Sequence, residues 1–144
     1  MKKVLMLLFF AAIAISCTQV KRLIEAEDIV GKWKEVQGRK TKNSPVEDII
    51  VNCNDSLSNG DIFFFNTDGT YLKRSICPDR QHEEEGTWVY RNNIISLTTG
   101  KDNIKFSVSD AGKNKIKLSS LLINIDGTVI DDFDMGFFVV LEKQ

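Results

Sequence analysis

The sequence predicts an all-β fold, an eight-stranded antiparallel up-and-down barrel with a short helix between its first two strands. Three observations carry this. From Asp61 onward the chain reads as short segments rich in β-branched and aromatic residues, parted by turn residues. No stretch after residue 52 holds a helical apolar period of useful length. Adjacent strands on short links form a meander, and its two raw edges disappear only if the sheet closes. Eight strands close into a barrel just wide enough to be filled by side chains or to hold one small ligand.

The elements follow in order. "IVGKWKEVQG" (29–38) supplies the first strand. Ser44, Pro45 and Glu47 then spell a capping box with Pro at the first helical position, which predicts the short helix over 45–51. The remaining strands are expected at 61–66, 70–76, 86–91, 94–98, 103–109, 115–124 and 128–141, the last bulged near Gly136. In "FFFNTDGTYL" the segment Asn66-Thr67-Asp68-Gly69 suits a type I turn whose Gly69 is left-handed and makes a bulge. That turn sets Phe65 opposite Tyr71 and Phe63 opposite Lys73 on one face, with Phe64 opposite Leu72 on the other. The same turn chemistry recurs at Asn124–Thr128, between Ile123 and Val129. Gly86 and Gly136 are read as bulges that widen one end of the barrel.

The leader is distinct. Lys2 and Lys3 precede an unbroken apolar run from Val4 to Ile15, too short to span a bilayer and without a polar face, which suits a signal-peptide core. The junction Ala14-Ile15-Ser16-Cys17 resembles a bacterial lipobox, with ordinary cleavage near Ser16 as the competing reading. The resemblance implies that Cys17 becomes the lipidated N-terminus of the mature protein. Several acyl chains together anchor firmly where one would not. Thr18 in place of Asp argues against inner-membrane retention, so an outer-membrane lipoprotein of the cell envelope is expected, with the leaflet open. The chain then divides into a signal peptide (1–16), an anchor and linker with one short helical turn (17–28) and a barrel domain (29–144).

The formal net charge of −1 gives no support for nucleic-acid binding, which wants a concentrated basic surface. Lys32, Lys34, Arg39, Lys40 and Lys42 read as a solvated face. With Cys17 reserved for the anchor, Cys53 and Cys77 remain, and in an oxidising compartment two such cysteines pair as a disulfide. A metal site joining them to His82 is the alternative, at a spacing that matches no zinc pattern.

Gly31-Lys32-Trp33, the "F-N-x-D-G-T-Y" hairpin, the bracketing Cys53 and Cys77, and "EGTWVY" at 85–90 together resemble the lipocalin-like domains of small bacterial lipoproteins. The likeness covers nearly all of residues 29–143. It implies a calyx in which Trp33, on the first strand, plugs the closed end.

No pattern selects catalytic chemistry. His82 sits in a polar loop beside Glu83, Glu84 and Glu85, which read as solvated. There is no nucleophile elbow and no metalloprotease motif. Asp131, Asp132 and Asp134 read as an acidic loop or bulge rather than a calcium site. The expectation is a protein that is not an enzyme and needs no cofactor or metal. Its ligand-lining set would be Trp33, Phe63, Phe65, Tyr71, Trp88, Tyr90 and Phe106, taking a small apolar or amphipathic molecule. The other expectation is an envelope structural or protein-interaction module in which these rings fill the barrel and leave no room.

Overall fold

A computed structural model describes residues 22–54, 60–77, 79, 82–123, 129–130 and 136–144. The leader, Cys17, the 124–128 turn and the three aspartates at 131, 132 and 134 lie outside the described residues. One helical turn, α1 (Ala26–Ile29), leads into β1 (Gly31–Arg39). There follow β2 (Glu47–Asp48), β3 (Asp61–Phe65), β4 (Thr70–Ser75), β5 (Glu83–Arg91), β6 (Ile94–Thr99), β7 (Asp102–Asp110) and β8 (Lys115–Ser120). The chain ends through β9 (Leu122–Ile123), β10 (Val129–Ile130) and β11 (Phe138–Lys143).

Eight of these strands form a closed antiparallel barrel, in the order β1-β3-β4-β5-β6-β7-β8-β11 and back to β1. Closure runs the full length of β11, from Trp33 opposite Lys143 to Arg39 opposite Phe138. A bulge at Val36 shifts the register between Glu35 and Gln37. Because of that extra residue, Glu35 and Gly38 share the inner face instead of falling on opposite faces. On its other side β1 pairs with β3 only as far as Lys34. Beyond that point β2 takes over opposite Gln37 and Gly38, outside the ring.

The expected helix at 45–51 is absent; Glu47 and Asp48 form β2, and the Ile49 N–H donates to the Val36 carbonyl at 2.9 Å. Ile49, Ile50 and Val51 are β-branched, stiff at χ1 and better suited to an extended chain, and here that preference outweighs the capping signature. The helix lies before the first strand, where the Asp28 carboxylate accepts the Glu25 N–H at 3.0 Å. The last two expected strands also change. The 115–124 strand breaks at Leu121, and the 128–141 strand divides, so that β9 and β10 pair as a separate ribbon with Val129 opposite Ile123.

Turn chemistry fixes the rest. Gly69 is left-handed at φ 82°, its N–H donates to the Asn66 carbonyl at 3.1 Å, and the Asp68 carboxylate accepts the Thr70 N–H at 2.9 Å. The expected register results, with Phe65 opposite Tyr71, Phe64 opposite Leu72 and Phe63 opposite Lys73. Phe63 and Phe65 point inward and are buried; Phe64 points outward, between the cations of Lys32 (5.9 Å) and Arg74 (5.0 Å). Cation–π contact and the methylene stems above it keep that outer ring partly covered.

Neither singled-out glycine widens the barrel as a bulge. Gly86 pairs with Tyr71 in an unshifted β4–β5 register, the β5–β6 register starts one residue on at Thr87, and an added Cβ would stand 2.1 Å from the Thr98 carbonyl and 2.7 Å from the Tyr71 ring. The bare position therefore accommodates the tyrosine lying across it. Gly136, left-handed at φ 75°, precedes β11, and a Cβ there would sit 1.9 Å from the Lys42 backbone nitrogen. Its role is close approach of the loop after β1. Gly86→Ala should therefore lower stability by about 3 kcal/mol through overpacking, seen as a reduced urea midpoint at an unchanged slope.

Candidate functional site

The two ends of the barrel differ in chemistry. Strand alternation puts Trp33, Phe65, Trp88, Tyr90, Ile95, Phe106, Val108, Ile116 and Leu141 inside, toward the end that α1 covers. There Ile29 is fully buried, the Trp33 indole N–H donates to the Ile29 carbonyl at 2.6 Å, and the Tyr90 hydroxyl donates to the Ile24 carbonyl at 2.9 Å. Lys143 closes over Trp33 with its ammonium 5.4 Å from the ring and donates to the Asp28 carbonyl at 2.9 Å. Residues from Ile24 onward thus belong to the floor of the barrel.

All seven residues expected to line a ligand site come together in this interior. Trp33, Phe63, Phe65, Tyr71 and Trp88 are buried, and Tyr90 and Phe106 are partly buried against them. They touch one another. The Phe65 ring lies 5.9 Å from Phe63, 6.3 Å from Tyr71 and 5.5 Å from Trp88 by centroid, the last edge-on. Those spacings are the preferred ones for aromatic pairs.

Toward the opposite end the inner face turns polar. Glu35 on β1, Asp61 on β3, Lys73 on β4 and Glu84 on β5 continue the inward positions of Trp33, Phe63, Tyr71 and Trp88. Asp61 lies just past the last β1–β3 pair, and its N–H is received by Glu35 Oε2 at 3.1 Å. The Asp61 carboxylate pairs with Lys73 Nζ at 3.1 Å, and that ammonium also stands 5.7 Å from the Phe63 ring. Glu84 Oε1 accepts from the Tyr71 hydroxyl at 2.5 Å and from Thr99 Oγ1 at 2.9 Å. Those bonds hold the Glu84 carboxyl below its ordinary range. Burial, with the Glu84 bond next, pushes Tyr71 up to about 12, so it stays protonated and donates.

Glu35 behaves differently. Desolvation first, and the Asp61 charge second, raise its carboxyl to about 7; the Asp61 N–H and Lys73 offset this only in part. Among the described residues no cation reaches ion-pair distance of it.

Glu35 and the Asp61–Lys73 pair line a cleft of about 600 Å³ at this mouth, larger than the two other described concavities of about 240 and 200 Å³. Its other walls are the end of β1, the 44–50 segment and Phe137 to Val139 at the start of β11. Phe137 is 37% exposed and Ile50 79%. The Cys53–Cys77 disulfide ties the chain beyond the 44–50 wall to the end of β4. It forms as expected, which removes the metal alternative, and His82 is exposed.

Sequence reading missed Glu35 and Glu84. The sequence groups Glu84 with Glu83 and Glu85 as solvated, yet only its two neighbours are exposed. Period-2 counting back from Trp88 through Gly86 reaches Glu84, and forward from Trp33 it reaches Glu35. The signal was present in the spacing. No protein-family model matches this chain, and no curated protein matches it either.

Because its carboxyl is raised in the folded state, Glu35 binds a proton more tightly there than in the unfolded chain. Its destabilising effect is absent below about pH 4.5, grows as pH rises, and is complete above about pH 7. Glu35→Gln keeps the acceptor for Asp61. The variant should match the parent at pH 4.5 and exceed it by roughly 2 kcal/mol at pH 8 after discount for partial exposure. Urea titrations at the two pH values read this difference.

Proposed function

We propose that this protein is a lipocalin-like envelope lipoprotein, tethered through a lipidated Cys17, whose barrel binds a small amphipathic molecule at its mouth and does no chemistry on it. The single observation that carries the reading is the mouth cleft of about 600 Å³. Its size falls within the range of small-molecule sites, and it sets a few polar groups beside apolar walls, as such sites do. The half-exposed Phe137 and the wall residue Ile49 offer a tail somewhere dry, while Glu35, Asp61 and Lys73 stand where a head group would rest.

A lipocalin-like assignment draws support from the closed eight-stranded ring and from Trp33 at its covered end. The tether draws support from the lipobox resemblance at residues 14–17. The mutual contacts of Phe63, Phe65, Tyr71 and Trp88 favour a second reading, a filled barrel that serves as a tethered interaction module. In the first reading the packed aromatics support the barrel while the ligand sits in the cleft, which none of them lines; in the second they are the whole of the interior.

Mass spectrometry of the full chain purified from its own membranes tests both parts. The expected result is an acyl mass on the peptide that begins at Cys17, together with a small amphiphile that leaves on denaturation. An unmodified Cys17 would remove the tether. Native protein free of any bound molecule would favour the filled module.

A further inference from the structure

We propose that the mouth cleft selects amphiphiles with a cationic head, an amine or a quaternary ammonium, seated against Glu35 with the tail on Ile49, Phe137 and Val139. This rests on the reading of the cleft as a ligand site and names the class of ligand.

The head-group environment is asymmetric. Facing the cleft interior are the Glu35 carboxyl on β1, Asp61 on β3 and Lys73 on β4, with Glu84 on β5 beside them in the same inward layer. Lys73 is committed to Asp61 at 3.1 Å and lies over Phe63, so its charge is already matched. Glu84 holds two hydrogen bonds from Tyr71 and Thr99. At the outer lip, the Arg39 guanidinium lies 5.1 Å from the outward ring of Phe138 and its Nε donates to the Gly136 carbonyl at 2.7 Å. Lys40 lines the same lip and is exposed, as are Glu47 and Asp48 on β2. Three carboxyls of the cleft wall, Glu35, Glu47 and Asp48, have no described ion-pair partner; Glu47 and Asp48 are exposed on β2, and Glu35 is the one that is half-buried.

A half-buried carboxyl in this state gains most from a cation. An ammonium placed beside it supplies the missing countercharge and draws the group into its ionised form, whereas a carboxylate or phosphate head adds a like charge where water is scarce. The desolvation that lifts Glu35 toward neutrality is the same desolvation that strengthens its attraction for a bound cation. The apolar walls then take a short chain, and the cleft volume limits its length.

The test uses the mature chain, residues 17–144, carrying Cys17→Ala so that it stays in solution, and three probes of equal tail: octylammonium, octanoate and octanol. Binding is read from the NMR shifts of the Glu35, Asp61 and Phe137 amides. At pH 8 octylammonium should bind at least tenfold more tightly than octanoate, with octanol between them. At pH 5.5, where Glu35 holds its proton, that preference should shrink severalfold. Glu35→Gln should bring octylammonium to within twofold of octanol while octanol itself is unaffected. Octanoate binding as tightly as octylammonium, or a cation preference that survives Glu35→Gln, overturns the proposal and leaves the ligand site standing. Failure of all three probes to move these resonances overturns both.

Discussion

The antiparallel pairing of β1 with β11 is the constraint on which the other features depend. A meander of this length left open would expose a row of unpaired amides and carbonyls along each edge, and the two strands meet to remove both rows. Once the cylinder is shut, alternation becomes an inside-outside code. Every second residue must then suit a narrow, water-poor axis. The aromatics of β3, β4 and β5 meet at its centre because closure brings those strands around a common axis, with Gly86 making room for the Tyr71 ring.

Closure also explains why the two ends diverge. β1 is held by β3 for only its first residues, and past the bulge at Val36 its free side is met by β2. The gap left where β3 departs is the mouth. Asp61 begins β3 there without a β1 partner, and the Glu35 side chain supplies the acceptor that a ladder carbonyl would have given. A carboxyl recruited for a backbone bond in a half-dry position has its ionisation set by the fold itself. At the other end α1 seats Ile29 under Trp33, so the axis is sealed by apolar packing with both buried indoles donating to backbone carbonyls.

How legible this was depended on whether local chemistry or tertiary competition decided each element. The hairpin at 66–69 was readable to the residue, since Asn66, Asp68 and Gly69 determine its geometry without help from the rest of the chain. The strands of the meander were readable because turns such as Asn92-Asn93, both left-handed, separate them. The 45–51 segment was not, because its capping signature competed with β-branched residues and a β1 edge that only the folded barrel presents. β11 was likewise blurred, since β10 pairs with β9 in a separate ribbon while β11 joins the ring, a partition that strand pairing decides. For the site, charge alone misled: Glu84 reads as one of three like residues until strand phase singles it out, and Glu35 looks like an ordinary charged strand residue until closure buries it.

Amide hydrogen exchange along β11 tests the closed cylinder most directly. With β8 on one side and β1 on the other, consecutive amides from Val139 to Glu142 should all exchange only through global unfolding, at the rate seen for the centre of β6. If every second amide of β11 exchanged orders of magnitude faster, the strand would be an open edge, and the sealed axis, the mouth and the ionisation of Glu35 would lose their common cause.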